Sequence, residues 1–214
     1  MALQTTNLQF SYHAQKVFKF PDIKLASADA ALIIGPSGSG KTTFLNLIAG
    51  LQKPSIGEVK LGHQFINKLV GRSLERFRAE HLGLIFQKSL FLPYLSMMDN
   101  MKIIYSIQKR KASPTEIESL FADLNISHIL HKKASTCSIG EQQRAAIARA
   151  LLQKPSLILA DEPTAALDDA NAQKVGDLLL QMSKSQKTAL LIVTHDARLK
   201  KLISKSYHLW MYSD

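Results

Sequence analysis

Apolar and polar positions alternate at the start of the chain, at Leu8, Phe10 and Tyr12, and Val17, Phe18 and Phe20 follow after a short gap. This period of two predicts antiparallel strands, closed by Pro21-Asp22. Residues 30–34 are a short apolar run that enters a loop of glycine and serine. Residues 42–49 then carry helical apolar spacing until a stop at Gly50. Pro54 and Gly57 frame a turn before a strand over 58–61, and a short helix over 74–79 leads into an apolar strand over 82–86. Residues 99–130 read as mainly helical, broken at Ser113-Pro114 and restarting at Thr115-Glu116. A helix over 141–152 stops before Pro155. After it come a buried-type strand over 157–160, a long helix over 169–183 and another buried-type strand over 189–193.

Strands alternating with helices predict an α/β fold with a mostly parallel sheet, preceded by an antiparallel β subdomain. One domain over 1–214 is expected, with an inserted α-helical subdomain over about 88–153. The composition, 46% hydrophobic and 21% charged over 214 residues, fits a globular core. No apolar run reaches the roughly 18 residues of a membrane-spanning helix, and the first ten residues lack the layout of a signal peptide. A soluble, intracellular chain is therefore expected. Cys137 is the single cysteine, which excludes an internal disulfide and a multi-cysteine zinc site. The net charge of +10 is dispersed, with short clusters only at 109–111, 132–133 and 200–201, so it reads as solvated faces and predicts no nucleic-acid partner.

Gly35-Pro36-Ser37-Gly38-Ser39-Gly40-Lys41-Thr42 fits a phosphate-binding loop between an apolar strand and a helix. Glycines let consecutive N–H groups turn inward around phosphate oxygens. Lys41 is placed to reach the β- and γ-phosphates, the Thr42 hydroxyl to ligate Mg²⁺, and the helix start, through Thr43, adds positive potential. Asp161 and Glu162 follow the strand over 157–160, where open α/β sheets bind ligands. Alone, such a pair is an exposed turn. Beside a phosphate loop, Asp161 is expected to hold Mg²⁺ through water and Glu162 to orient or deprotonate an attacking water.

Ser138-Ile139-Gly140-Glu141-Gln142-Gln143-Arg144 resembles the signature sequence of the ABC ATPases, at family-like distance before Asp161-Glu162. Taken alone it is a helix capped by Ser138 and Glu141. Two positions depart from the family pattern: Cys137 stands where leucine is usual, and Ile139 where the first of two glycines is usual. Ile139 adds a β-branched side chain near the docked nucleotide, which predicts slower turnover than the family norm.

The resemblance covers nearly the whole chain and implies a P-loop NTPase core that binds ATP and Mg²⁺. It implies that Tyr12 stacks on adenine, that Gln87 contacts Mg²⁺ and a transmembrane partner, and that His195 hydrogen-bonds the γ-phosphate. Tyr12 would otherwise be a strand-packing aromatic, Gln87 a polar group at a strand end and His195 a structural histidine. Ala166-Leu167-Asp168 resembles the loop crossing the dimer interface. The family implication is two subunits, identical or not, set head to tail, so that each ATP lies between the Lys41 loop of one and Ser138, Gly140 and Glu141 of the other. A separate transmembrane permease, bound through 86–101, would hold the chain peripherally on the cytoplasmic face of the inner membrane. There Phe91, Leu92, Tyr94, Leu95, Met97 and Met98 supply apolar surface, and the methionines suit an adaptable groove. Residues 91–96, with the chain end soon after Trp210, resemble the short ATPases of lipoprotein release and macrolide export. The other readings are a non-transport ABC ATPase and a nucleotide-sensing subunit of low turnover.

Overall fold

The computed structural model describes residues 2–12 and 17–210. The first elements are β1 (Leu3–Ser11), β2 (Val17–Lys19), β3 (Lys24–Leu25), β4 (Ala30–Ile34), α1 (Lys41–Ile48), β5 (Ile56–Leu61) and β6 (Gln64–Phe65). Next are α2 (Gly71–His81), β7 (Leu82–Ile85), α3 (Met97–Ile107), α4 (Pro114–Asp123) and α5 (Ile139–Leu152). The chain continues through β8 (Leu157–Asp161), α6 (Asp169–Ser185), β9 (Ala189–Val193), α7 (Ala197–Leu202) and β10 (Ser206–His208).

The strands form two sheets. One is antiparallel, in the order β2-β1-β5-β6 with β3 also on β1. The other runs β10-β4-β9-β8-β7, every pair parallel. All residues of β8 and β9 are buried, so these strands read as unbroken apolar runs, and their alternate side chains enter different cores. Ile158, Leu190 and Ile192 face α3 to α6, while Leu159, Leu191 and Val193 face α1 and the antiparallel sheet. Phe44 of α1, wholly buried and stacked on Phe20, fills the second core, so Phe44→Ala should cost about 3–5 kcal/mol.

Three expectations are corrected. Gly57 lies inside β5, not in a turn before it. Its φ is 92°, and a Cβ there would stand 2.4 Å from the Asn7 carbonyl oxygen, beside an irregularity between Thr6 and Gln9 of β1. It stands opposite a bulge in β1, where Asn7 and Leu8 face this one residue. Met97 and Met98 are not groove residues: they are buried with Met101 among α3, α4 and α5, because the apolar face of α3 turns inward. Phe86 lies beyond β7, which ends at Ile85, so the chain leaves the sheet just before Gln87.

Candidate functional site

The C-terminal ends of the central parallel strands and the start of α1 enclose a cleft of about 390 Å³. Ser37, Gly38, Gly40, Lys41, Thr42 and Thr43 line one side, and Gln87, Asp161, Glu162 and His195 the other. Parallel strand order explains the meeting: β4, β8 and β9 are neighbours, so the segments that follow them converge on one edge.

Helix α1 starts without a side-chain cap among the described residues, whereas α3 to α7 begin on Ser96, Ser113, Ser138, Asp168 and Asp196, each accepting a first-turn N–H. The first N–H groups of α1 lack intrahelical acceptors and are available to an anion. Its first flank, Gly40, has φ 89°, and a Cβ there would lie 2.8 Å from the Phe18 ring, so only glycine brings the loop so close to β2. Ser39 is buried beneath the loop. The Lys41 ammonium donates to the carbonyls of Gly35 and Pro36, both at 2.8 Å. Burial lowers its pKa, and the charges of Glu162 and Asp161 oppose that fall.

Thr42 Oγ1 donates to Asp161 Oδ2 at 2.7 Å, placing a hydroxyl and a carboxylate side by side at the loop. Glu162 has φ 49°, a left-handed conformation that costs a non-glycine residue about 1–2 kcal/mol. Its N–H donates to the Val193 carbonyl, and its carboxylate accepts from Thr194 Oγ1 at 3.0 Å and from the His195 N–H at 3.1 Å. These bonds turn the carboxylate toward His195, whose Nε2 is 3.9 Å from Glu162 Oε1. Sequence reading missed Thr194 and Phe18. Thr194 was marked by its place between a buried strand and His195, and Phe18 by nothing local.

Tyr12 is half exposed; its ring meets Phe10 and Phe18 edge-on, and its hydroxyl lies 2.8 Å from Thr43 Oγ1. It therefore sits at the rim of the loop, with strand packing and exposure combined.

Ser138, Gly140, Glu141 and Asp168 do not line this cleft. Ser138 caps α5, its Oγ accepting from the Glu141 N–H at 3.3 Å while Glu141 Oε2 accepts from the Ser138 N–H at 2.7 Å. The other Glu141 oxygen is 2.6 Å from His128 Nε2. The Ser138 N–H and His128 hold the Glu141 carboxyl down at about 2. A methyl group on Gly140 would stand 3.3 Å from the Ala166 carbonyl oxygen, so the loop over 166–168 lies against the α5 tip. Cys137 is buried with its thiol pKa raised, filling the apolar role of leucine, whereas Ile139 is 74% exposed at the tip.

A second, apolar groove of about 750 Å³ runs between α2, α3, α5 and the segment after β7, lined by Leu84, Phe86, Leu90, Leu92, Ile103 and Ile107 among others. Leu90, Leu92, Tyr94 and Leu95 are exposed there or nearby. Arg149 of α5 donates to the Leu90 carbonyl and lies 4.7 Å from the Phe91 ring centre, tying the segment after Gln87 to the helix that starts at Ser138. No helix of the described residues is long and apolar enough to cross a membrane.

The profile of the ABC transporter family matches residues 19–165. The chain is 39% identical to the lipoprotein-releasing system ATP-binding protein LolD of Hydrogenovibrio crunogenus, over 98% of this chain and 94% of that one. It is 37% identical to the bacitracin export ATP-binding protein BceA of Halalkalibacterium halodurans, over 91% and 79%. Among solved structures, a dimeric post-hydrolysis state of the ATP-binding cassette MJ0796 with ADP and Pi matches with a TM-score of 0.90 and 28% identity, over 99% of this chain and 97% of that one.

Proposed function

Because this chain belongs to the ABC transporter family, in which it is an ATP-hydrolysing subunit, we propose that the cleft around Lys41 is its ATP site and that hydrolysis there drives a separate membrane permease. The observation that carries the reading is the convergence of Lys41, Thr42, Asp161, Glu162, His195 and Gln87, scattered over the sequence, on one cleft beside an uncapped helix start.

The residues fit a nucleotide with its metal. Backbone N–H groups of the loop and of α1 cradle phosphate oxygens, and Lys41 exchanges its two carbonyl partners for phosphate. Thr42, Asp161 and Gln87 form an all-oxygen donor set suited to Mg²⁺, which when bound neutralises phosphate charge. Glu162 orients the attacking water and takes its proton, and the Thr194 hydroxyl and the His195 N–H hold its carboxylate in place. The His195 side chain, 55% exposed on the rim, is free to turn to the γ-phosphate. Tyr12 offers its ring to the adenine.

Ser138, Gly140 and the adjoining 166–168 loop stand outside the cleft because, in this reading, they serve the nucleotide of a second ATP-binding subunit. ATP then binds the pair more tightly than either half, and its hydrolysis releases them. The apolar groove and its exposed leucines suit a short helix of the permease. The similarity to LolD supports a role in lipoprotein release or a related mechanical task. Affinity capture of the tagged full chain from detergent-solubilised membranes tests the transport reading. It should retain an integral membrane protein, and capture of none from intact folded chain would contradict it.

A further inference from the structure

Arg198 lies outside the nucleotide cleft, in the short helix α7, yet it ties the segment after His195, and through Asp196 the segment after Glu162, to the start of α6, which stands outside the cleft. Its Nε donates to Asp196 Oδ1 at 2.8 Å and its Nη2 to Asp196 Oδ2 at 2.7 Å, a two-pronged grip reinforced by its backbone N–H at 2.9 Å. Asp196 Oδ2 accepts a further bond from Thr164 Oγ1 at 2.6 Å, and Thr164 is wholly buried. The remaining Nη1 of Arg198 reaches Asp169 Oδ1 at 2.5 Å. Asp196 follows His195, Thr164 stands two residues after Glu162, and Asp169 follows Asp168, the cap of α6.

These partners differ in burial. Asp196 is 9% exposed in its side chain and is held from several directions, whereas Asp169 is 98% exposed. An exposed ion pair adds little to folding stability. What the Asp169 contact does is geometric: it fixes the start of α6, and with it the loop over 166–168, to the segment that carries His195.

We propose that Arg198 is a positioning residue for ATP hydrolysis, acting through Asp196 on His195 and the Glu162 loop, and through Asp169 on the loop at Asp168. Resting on the ATPase reading above, this makes one side chain the mechanical link between the residues that work on the chain's own nucleotide and the loop that faces the second subunit. The link transmits position rather than charge. Its loss should therefore appear in the chemical step and leave nucleotide binding intact.

The test is steady-state ATP turnover of the full chain, with melting temperature measured beside it. Arg198→Met should lower kcat about 5- to 20-fold with KM for ATP within about twofold, and Arg198→Lys, which keeps the charge without the fork, should recover part of the loss. Asp169→Asn, an exposed change, should lower kcat about threefold at unchanged melting temperature. The double variant Arg198→Met/Asp169→Asn should be no slower than Arg198→Met alone, because both break one link. Parental kcat in Asp169→Asn, losses that multiply in the double variant, or a loss confined to KM would each overturn the proposal. Glu162→Gln serves as the control: inactive beside a fully active Arg198→Met, it refutes the positioning role alone, whereas parental turnover by Glu162→Gln removes the ATPase assignment itself.

Discussion

Thr42 Oγ1 donates to Asp161 Oδ2 at 2.7 Å, joining residues 119 positions apart in sequence. One comes from the start of α1 and the other from the end of β8, so the contact measures how well the two halves of the proposed phosphate and metal site are aligned. Asp161→Asn keeps an oxygen for the Thr42 hydroxyl but removes the negative charge. The magnesium concentration for half-maximal ATP turnover should rise about 10- to 100-fold. An unchanged magnesium dependence would separate Asp161 from the metal.

Asp196 predicts an acid response. Arg198 above all, with Thr164, holds its carboxyl at about 2 against the usual 3.8, and burial opposes that shift. A depressed folded-state pKa stabilises the fold at pH above the unfolded value, and that contribution disappears as pH falls from about 4 through about 2. Asp196→Asn should lose about 1–2 kcal/mol near pH 7. The difference from the parent should close as pH approaches 2 in denaturation measured across pH, and a constant difference would contradict the assignment.

Ile139 stands 74% exposed at the tip of α5, between Ser138 and Gly140. If that tip docks on a second subunit's nucleotide, its branched side chain crowds the γ-phosphate. Ile139→Gly should raise the ATPase rate of the assembled complex about 2- to 10-fold. A rate equal to the parent's would show that the side chain is accommodated without cost.

The exposed leucines after Gln87 should matter for assembly and not for chemistry. Leu92→Asp puts a charge on the groove lining and should weaken capture of the membrane partner about 10-fold or more. ATP turnover of the isolated chain should stay within about twofold of the parent's. Undiminished capture would move the docking surface elsewhere.

Much of this architecture is readable in the sequence because β8 and β9 are buried on both faces and α1, α5 and α6 carry long apolar faces, so local pattern and tertiary burial agree. The predicted span over 189–193 coincides with β9, and the phosphate loop and its flanking strand and helix are where their spacing put them. The short pieces were not readable. Strands β3 and β6 have two residues each and exist only through their partners, and α7 depends on the Asp196 cap more than on apolar periodicity. Gly57 and the methionines of α3 failed for a related reason: a bulge is set by the neighbouring strand, and an apolar helix face does not say whether it turns to a core or a groove. In the site, Thr194, Asp196 and Arg198 went unread because their importance lies in what they hold.

The most direct test of the account is ATP turnover by the parent and by Glu162→Gln, with ATP affinity measured in parallel. The amide keeps an acceptor for the Thr194 hydroxyl and the His195 N–H but cannot take the proton of water. Turnover should fall about 10²- to 10⁴-fold while ATP still binds. Equal turnover by the two proteins, or a folded parent that does not bind ATP, would contradict the account.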